Sequence, residues 1–225
     1  IPVRILYEYA EKIRQITLKE EWKIGRVIAC PFTGNNHKTF KFTNERLDFA
    51  VKPPTKSVMN FLKEKDYSVI SIGKIAEVFD FEGITKVIKA KNNAEALNKL
   101  EDIMTKSFTG LCCVNLYDFD NYGHKRDIEN YAKSIEELDI EIPIILNRLD
   151  TEDLLIITAD HGCDPTFNGY GHTRENVPVI IYGRNLKEPK KLDILESMAD
   201  IGATISDNFE LQKTFIGTSF LDKLK

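Results

Sequence analysis

The chain has 225 residues, 42% of them apolar and 29% charged, with a formal net charge of −4. That length can bury a sizeable core, as one large domain or as a core with a small appendage, and the balance is that of an ordinary globular protein. The slight acidity offers no basic footprint for nucleic acid or an anionic membrane; no apolar run approaches the roughly 20 residues of a membrane span, and no signal-peptide pattern opens the chain.

Taken in order, Leu6, Tyr9, Ala10, Ile13 and Ile16 recur at helical spacing and predict an amphipathic helix over Val3 to Thr17. Ile24 to Ala29 reads as a strand, followed by a polar, turn-rich segment from Pro31 to Asn44 with Gly34-Asn35-Asn36 at its centre. Pro53-Pro54 is a hard break, and a short helix follows with Val58, Phe61 and Leu62 on one face. The rhythm then becomes regular: a strand over Tyr67 to Ile72 closed by Gly73-Lys74, a helix over Asn93 to Lys106, and a strand over Leu111 to Leu116.

A long helix from about Arg126 to Leu149 carries apolar residues at Ile128, Tyr131, Ala132, Ile135, Leu138, Ile142 and Ile145, with a kink expected at Pro143. Strands over Asp153 to Ala159 and Val177 to Tyr182, and a helix near Leu192 to Ile205, complete the pattern. Strands bounded by helices, several of them continuously apolar, imply an α/β sandwich with a largely parallel sheet covered on both faces. The boundary with an α+β appendage falls near Asp48 to Pro54.

Cys30, Cys112, Cys113 and Cys163 show no CxxC spacing, which fits a reducing cytoplasm better than a disulfide framework. Cys112 and Cys113 lie in a predicted strand and read as packing; Cys163 has no basic neighbour in sequence and reads as structural. The first residues are Ile1-Pro2 rather than Met, as expected of a chain cut from something longer.

Chemistry concentrates after the strand at 153–159. There the apolar run Leu154 to Ile157 gives way to Thr158-Ala159-Asp160-His161-Gly162-Cys163-Asp164-Pro165-Thr166, with His172-Thr173-Arg174-Glu175 beyond. In open α/β sheets, sites form at the carboxyl ends of strands, and two strands here end in metal-type side chains: Asp120 with His124, and Asp160 with His161. Asp120 and His124 are four residues apart and share a face if the segment has begun a helix.

Adjacent residues leaving a strand point to opposite sides, so Asp160 and His161 suit two different ions better than one. His172 would complete a carboxylate-plus-two-histidine set. A mixed oxygen and nitrogen donor set suits Zn²⁺ or Mn²⁺ more than Ca²⁺, and two such ions can clamp the attacking and leaving oxygens of a phosphoryl displacement. Taken singly, Asp-His-Gly reads equally as a capped turn and Asp-x-x-x-His as a surface helix pair; their conjunction argues for a metal site. Among the cations, Arg26, Lys41 and Arg46 resemble solvated charges, whereas Lys74, at a strand's carboxyl end, is the best placed to bind phosphate.

The stretch Thr158 to Thr166, with His172 to Glu175 and Val177-Pro178, resembles the signature of the phosphopentomutases of the alkaline phosphatase superfamily. Asp118-Phe119-Asp120, Tyr122-Gly123-His124 and Arg126-Asp127 resemble a second motif of that family. Further matches are Gly25 to Ala29, Lys52-Pro53-Pro54, Ile72 to Ile75, Gly83-Ile84-Thr85 and Gly217 to Leu221. The resemblance implies an alkaline-phosphatase-like three-layer α/β sandwich core over residues 49–225, with residues 1–48 as the C-terminal part of a small α+β cap domain.

It further implies interconversion of (deoxy)ribose 1-phosphate and 5-phosphate in the cytoplasm, for nucleoside and pentose phosphate metabolism, through a phosphothreonine enzyme and two Mn²⁺, with Zn²⁺ or another divalent ion possible. Asp120, His124 and His172 would hold one ion, and Asp160 and His161 the other; Arg26, Lys41 and Lys74 would bind the sugar phosphate.

Three departures bear on this. The spacing from Asp120 to His124 is one residue shorter than the family's and matches the sister family of cofactor-independent phosphoglycerate mutases, which keeps Asp120 ahead of Asp118 as the ligand. Cys30 stands where an arginine is common. The family's N-terminal strand with a metal-binding aspartate, and its threonine nucleophile, have no counterpart here, so no catalytic nucleophile is expected in this chain. The expected partner is therefore the missing N-terminal half of the same protein, and the isolated chain is expected to be inactive. A phosphoglycerate mutase or phosphatase of the same superfamily is the enzymatic alternative; a metal-binding fragment that turns nothing over is the other.

Overall fold

The computed structural model describes residues 1–22, 24–43, 45–186 and 188–224, with the side chain of Glu20 left aside. The chain divides into two compact units, Ile1–Pro54 with Ala76–Glu82, and Thr55–Ile75 with Gly83–Lys225.

In the first unit, helix α1 (Val3–Thr17) packs on an antiparallel pair, β1 (Arg26–Ala29) and β4 (Leu47–Ala50). The helix forms as expected, but its apolar stripe is not the buried one. Ala10 and Arg14 face inward, while Tyr9, Ile13 and Ile16 remain exposed. Ala10 permits close approach, and Arg14 Nη2 donates to the carbonyls of Thr17 and Ile24 at 3.0 and 2.9 Å, while its buried Nε and Nη1 find no hydrogen-bond partner.

The polar segment after β1 is a small hairpin, β2 (Phe32–Thr33) against β3 (Lys41–Phe42), which alternation did not announce. Gly34 turns it at φ +120°, where an added Cβ would lie 2.4 Å from the Thr39 carbonyl oxygen. Asn44, the end of that predicted segment, lies outside the described residues. β4 is also missing from the sequence reading. It is held by Asp48, whose carboxylate receives Arg26 at 3.0 Å and Arg46 at 2.8 and 3.1 Å. Burial pushes the Asp48 pKa up, but the hydrogen bonds and charges of the two arginines outweigh it and hold the carboxyl below its ordinary value.

The second unit begins with α2 (Val58–Glu64), whose Val58, Met59, Phe61 and Leu62 are buried. There follow β5 (Ser68–Ile72), β6 (Lys86–Ile88), α4 (Asn93–Met104) and β7 (Gly110–Val114); the short α3 (Ile75–Val78), between β5 and β6 in sequence, falls mostly in the Ala76–Glu82 segment of the first unit. The three strands form a parallel sheet in the order β6-β5-β7. Ile70 and Ile72 pack on Ala96 and Ile103 of α4, and alternation turns Val69 and Ser71 to the opposite face, where both are fully buried. Burial on both faces is the expected α/β signature. Within β7, burial pushes the Cys112 and Cys113 thiols up to about 12 and about 11, as packing residues require.

α5 (Asp118–Lys125) and α6 (Ile128–Arg148) follow, then β8 (Leu155–Thr158), β9 (Val179–Tyr182) and α7 (Ala199–Asn208). α6 runs unbroken through Pro143. Its inward side is marked by Ser134, Ile145 and, just past its end, Leu149, whereas Ile128, Ala132 and Ile135 of the predicted stripe are exposed.

β8 and β9 are antiparallel and pair with each other, not in the parallel sense expected. A parallel partner needs a crossover, usually a helix, and residues 159–178 form a folded loop instead. α7 starts at Ala199 rather than near Leu192, and just ahead of it the Ser197 hydroxyl accepts the Ala199 amide at 3.1 Å. Among the described residues no helix is long and apolar enough to cross a membrane.

Asp48→Asn tests the arginine grip. Because the folded-state pKa is lowered, its stabilisation is present above the ordinary carboxylate value of about 4 and is lost as pH falls through the lower folded value. Denaturant unfolding across a pH series is expected to show the variant less stable at pH 6 and the gap closing below about pH 4; a pH-independent gap would refute the ion-pair account.

Candidate metal centre

The site is built where two strand ends meet. After β7 the chain enters α5, and Asp118 at its start is committed elsewhere: its carboxylate accepts the Asn93 amide at 2.8 Å, while its own amide donates to the Asn93 side chain at 2.9 Å. This reciprocal clasp ties α5 to the start of α4. It leaves Asp120 and His124, one helical turn apart, to project together.

The loop after β8 folds back on itself. Gly162 bridges to Thr173, whose amide donates to the Gly162 carbonyl at 3.0 Å, and the buried Thr173 hydroxyl accepts the Asp164 amide at 2.8 Å. That closure lays His172 against His161, with ring centroids 3.6 Å apart and nearly parallel, and His124 4.8 Å from His172.

Three imidazoles thereby converge on one oxygen. The Nε2 atoms of His124, His172 and His161 lie 3.3, 3.5 and 3.8 Å from Asp120 Oδ1. That oxygen is buried and accepts no hydrogen bond, so its desolvation is uncompensated within the chain. An orphaned carboxylate oxygen ringed by imidazole nitrogens is a donor set that fits a divalent cation.

The ring orientations agree. His124 Nδ1 lies 2.6 Å from the Tyr170 carbonyl oxygen and His161 Nδ1 3.1 Å from that of Gly162. A ring nitrogen bonded to a carbonyl must carry the proton, which in the neutral imidazole leaves Nε2 as the ligating nitrogen on the side of Asp120.

The grouping differs from the sequence expectation. Asp120, His161 and His172 form one cluster whose ligand atoms lie within 4.8 Å of one another, and Asp120, His124 and Cys163 form another. Asp160 Oδ2 is 3.5 Å from His161 Nε2, but its side chain is 86% exposed, and it belongs to neither cluster. From the sequence Cys163 reads as a structural residue. The structure adds that its sulfur borders the site, with its pKa raised by burial and then by the Asp120 charge.

Its backbone approach depends on Gly123, where a Cβ would lie 2.5 Å from the sulfur and 2.8 Å from the Cys163 carbonyl oxygen. Asp164 turns the loop by accepting both the amide and the hydroxyl of Thr166 at 2.7 Å, bonds that lower its pKa.

Sequence reasoning assigned no role to Arg126. It ends α5 in the left-handed conformation, φ 56°, and its guanidinium donates to the carbonyls of Gly123, Asp164, Gly169 and Gly171. Only its position beside the histidine motif could have drawn attention to it. Of the expected phosphate contacts, Lys74 stands at the carboxyl end of β5 with its ammonium 3.2 Å from the centroid of the Tyr117 ring. In the other unit, Arg26 is paired with Asp48 and Lys41 is exposed on β3.

Residues 12–213 match the family model of the Metalloenzyme superfamily. The chain belongs to this superfamily, and it carries two residue clusters able to hold a divalent ion. Its relatives include phosphopentomutases from Clostridium botulinum (strain Alaska E43 / Type E3) and Clostridium perfringens. These are 48% and 46% identical over 222 residues, covering 97% of this chain and 56% of each relative. The chain therefore spans about half the length of the curated relatives it matches. A crystal structure of Leishmania mexicana phosphoglycerate mutase at low cobalt concentration aligns with a TM-score of 0.55 at 16% identity, over 73% of this chain and 39% of that one. At that identity the likeness concerns the fold, an alkaline-phosphatase-like α/β fold.

Gly123→Ala is expected to push the Cys163 backbone off α5 and to destabilise the chain by about 1–3 kcal/mol in denaturant unfolding. Unchanged stability would mean that the close approach is not required.

Proposed function

We infer that Asp120, His124, His161, His172 and Asp160 form a two-ion centre, and that the protein interconverts pentose 1-phosphate and 5-phosphate as a phosphopentomutase. The observation that carries the metal reading is the buried, unpartnered Asp120 Oδ1 with three imidazole Nε2 atoms around it. The names of the 46–48% identical relatives support the mutase reading and disfavour the phosphoglycerate alternative.

Divalent ions, Mn²⁺ in this reading, supply charge neutralisation and alignment for the phosphoryl group. The chain's own residues do the rest. Asp120 contributes the negative charge, His124 and His161 are held as Nε2 donors by carbonyls, and His172 is brought in by the closure at Thr173. Asp160, exposed beside His161, would complete the second ligand set in this reading. Lys74, Arg26 and Lys41 are the proposed phosphate contacts; Arg26 would share its guanidinium with Asp48. Four unpaired cysteines support a reducing, cytoplasmic setting.

The chain spans 56% of the relatives' length, so the mutase activity is proposed for a protein that also has the counterpart of the remainder, including a phosphate-accepting hydroxyl. Metal analysis is expected to find two equivalents of Mn²⁺ per chain, and Asp120→Ala to weaken uptake roughly 100-fold or more, beyond what residues merely supporting a ligand contribute. Uptake unaffected by that change would overturn the site. Residues 1–225 assayed alone are expected to bind metal without converting ribose 1-phosphate, and robust turnover would refute that division of labour.

A further inference from the structure

One arginine links the helix that carries Asp120 and His124 to the loop that leads into His172. Arg126 occupies the left-handed position just past α5, where glycine or asparagine is favoured and a long side chain is strained. The occupant is explained by what its guanidinium reaches. It donates to Gly123 at 2.9 Å, to Asp164 at 2.8 Å, to Gly171 at 2.9 Å and to the Gly169 carbonyl.

The first of these carbonyls belongs to α5, the helix that carries Asp120 and His124. The other three span the loop that presents the Tyr170 carbonyl to His124 Nδ1 and leads directly into His172. The guanidinium is packed further against Phe167, 5.9 Å from its ring centroid. A planar fork of five donors can reach several carbonyls at once; an ammonium cannot match that geometry.

We propose that Arg126 is a positioning residue that fastens the 164–171 loop to α5, and so fixes both the ring tautomer of His124 and the placement of His172. The inference rests on the metal-centre reading for its consequence in affinity, but not for the loop geometry itself. Without the clamp, Tyr170 no longer holds the proton on Nδ1 of His124, and Nε2 loses its fixed aim at Asp120. Groups that orient a ligating histidine in this way typically contribute 10–100-fold to metal affinity.

The test uses the full chain and three variants, Arg126→Gly, Arg126→Lys and Arg126→Ala. Arg126→Gly is decisive, because glycine relieves the left-handed strain and so keeps the helix end intact while removing the clamp. Co²⁺ titration followed by its visible absorption is expected to show affinity lowered about 10–100-fold in all three. Nitrogen NMR of the metal-free imidazoles is expected to show His124 as the Nδ1–H tautomer in the parent chain and as a mixture in the variants, with the thermal midpoint of Arg126→Gly close to the parent's.

A parent-like tautomer and parent-like Co²⁺ affinity in a folded Arg126→Gly chain would overturn the proposal. A parent chain that takes up no Co²⁺ would sink the metal reading instead; the tautomer measurement would then still decide the clamp.

Discussion

The unsatisfied Oδ1 of Asp120 is the constraint around which the second unit is arranged. A carboxylate oxygen taken out of water without a hydrogen bond is costly, and the chain tolerates it with three imidazoles turned toward it. Each turn is enforced from outside the cluster. The Asn93 clasp starts α5 in the right phase, Gly123 lets the loop of the other strand approach, and the carbonyls of Tyr170 and Gly162 set two ring orientations. A buried carboxylate oxygen ringed by oriented imidazole nitrogens is a donor set suited to a divalent cation.

This arrangement also explains why the two sheet fragments differ in kind. The parallel β6-β5-β7 sheet is a packed scaffold, its central strand β5 buried on both faces, whose carboxyl edge delivers Lys74 and the start of α5. The β8–β9 pair is joined by a loop that works as a device in its own right. Its backbone bridge between Gly162 and Thr173 makes a compact turn in which His161 and His172 stack. A helical crossover at that point would have removed the loop that carries half of the cluster.

Much of the fold was legible in the sequence wherever apolar periodicity coincided with burial. β5, β7, α2 and α4 follow their patterns closely, because their apolar residues are the ones the core takes up. The reading failed where something other than apolarity decided. On α1 an arginine donating to two carbonyls took the inward position from Ile13, and on α6 Ser134 took it from Ile135. The strands β2, β3 and β6 have two or three residues, too few for alternation to register, and β4 is interrupted by the charged Asp48 that pairs with Arg26 and Arg46.

For the site, the sequence by itself determined the residue types and their local spacing. Asp120 with His124 on one helix face, and Asp160-His161 at a strand end with His172 beyond, follow from adjacency along the chain, and adjacency is what a sequence records. The tertiary structure decided which of them meet. It set His172 on His161, left Asp160 mostly exposed, brought Cys163 to the border of the cluster, and made Arg126 the tie between helix and loop. Those outcomes depend on carbonyl groups, which every residue carries alike, so no side-chain pattern could have announced them.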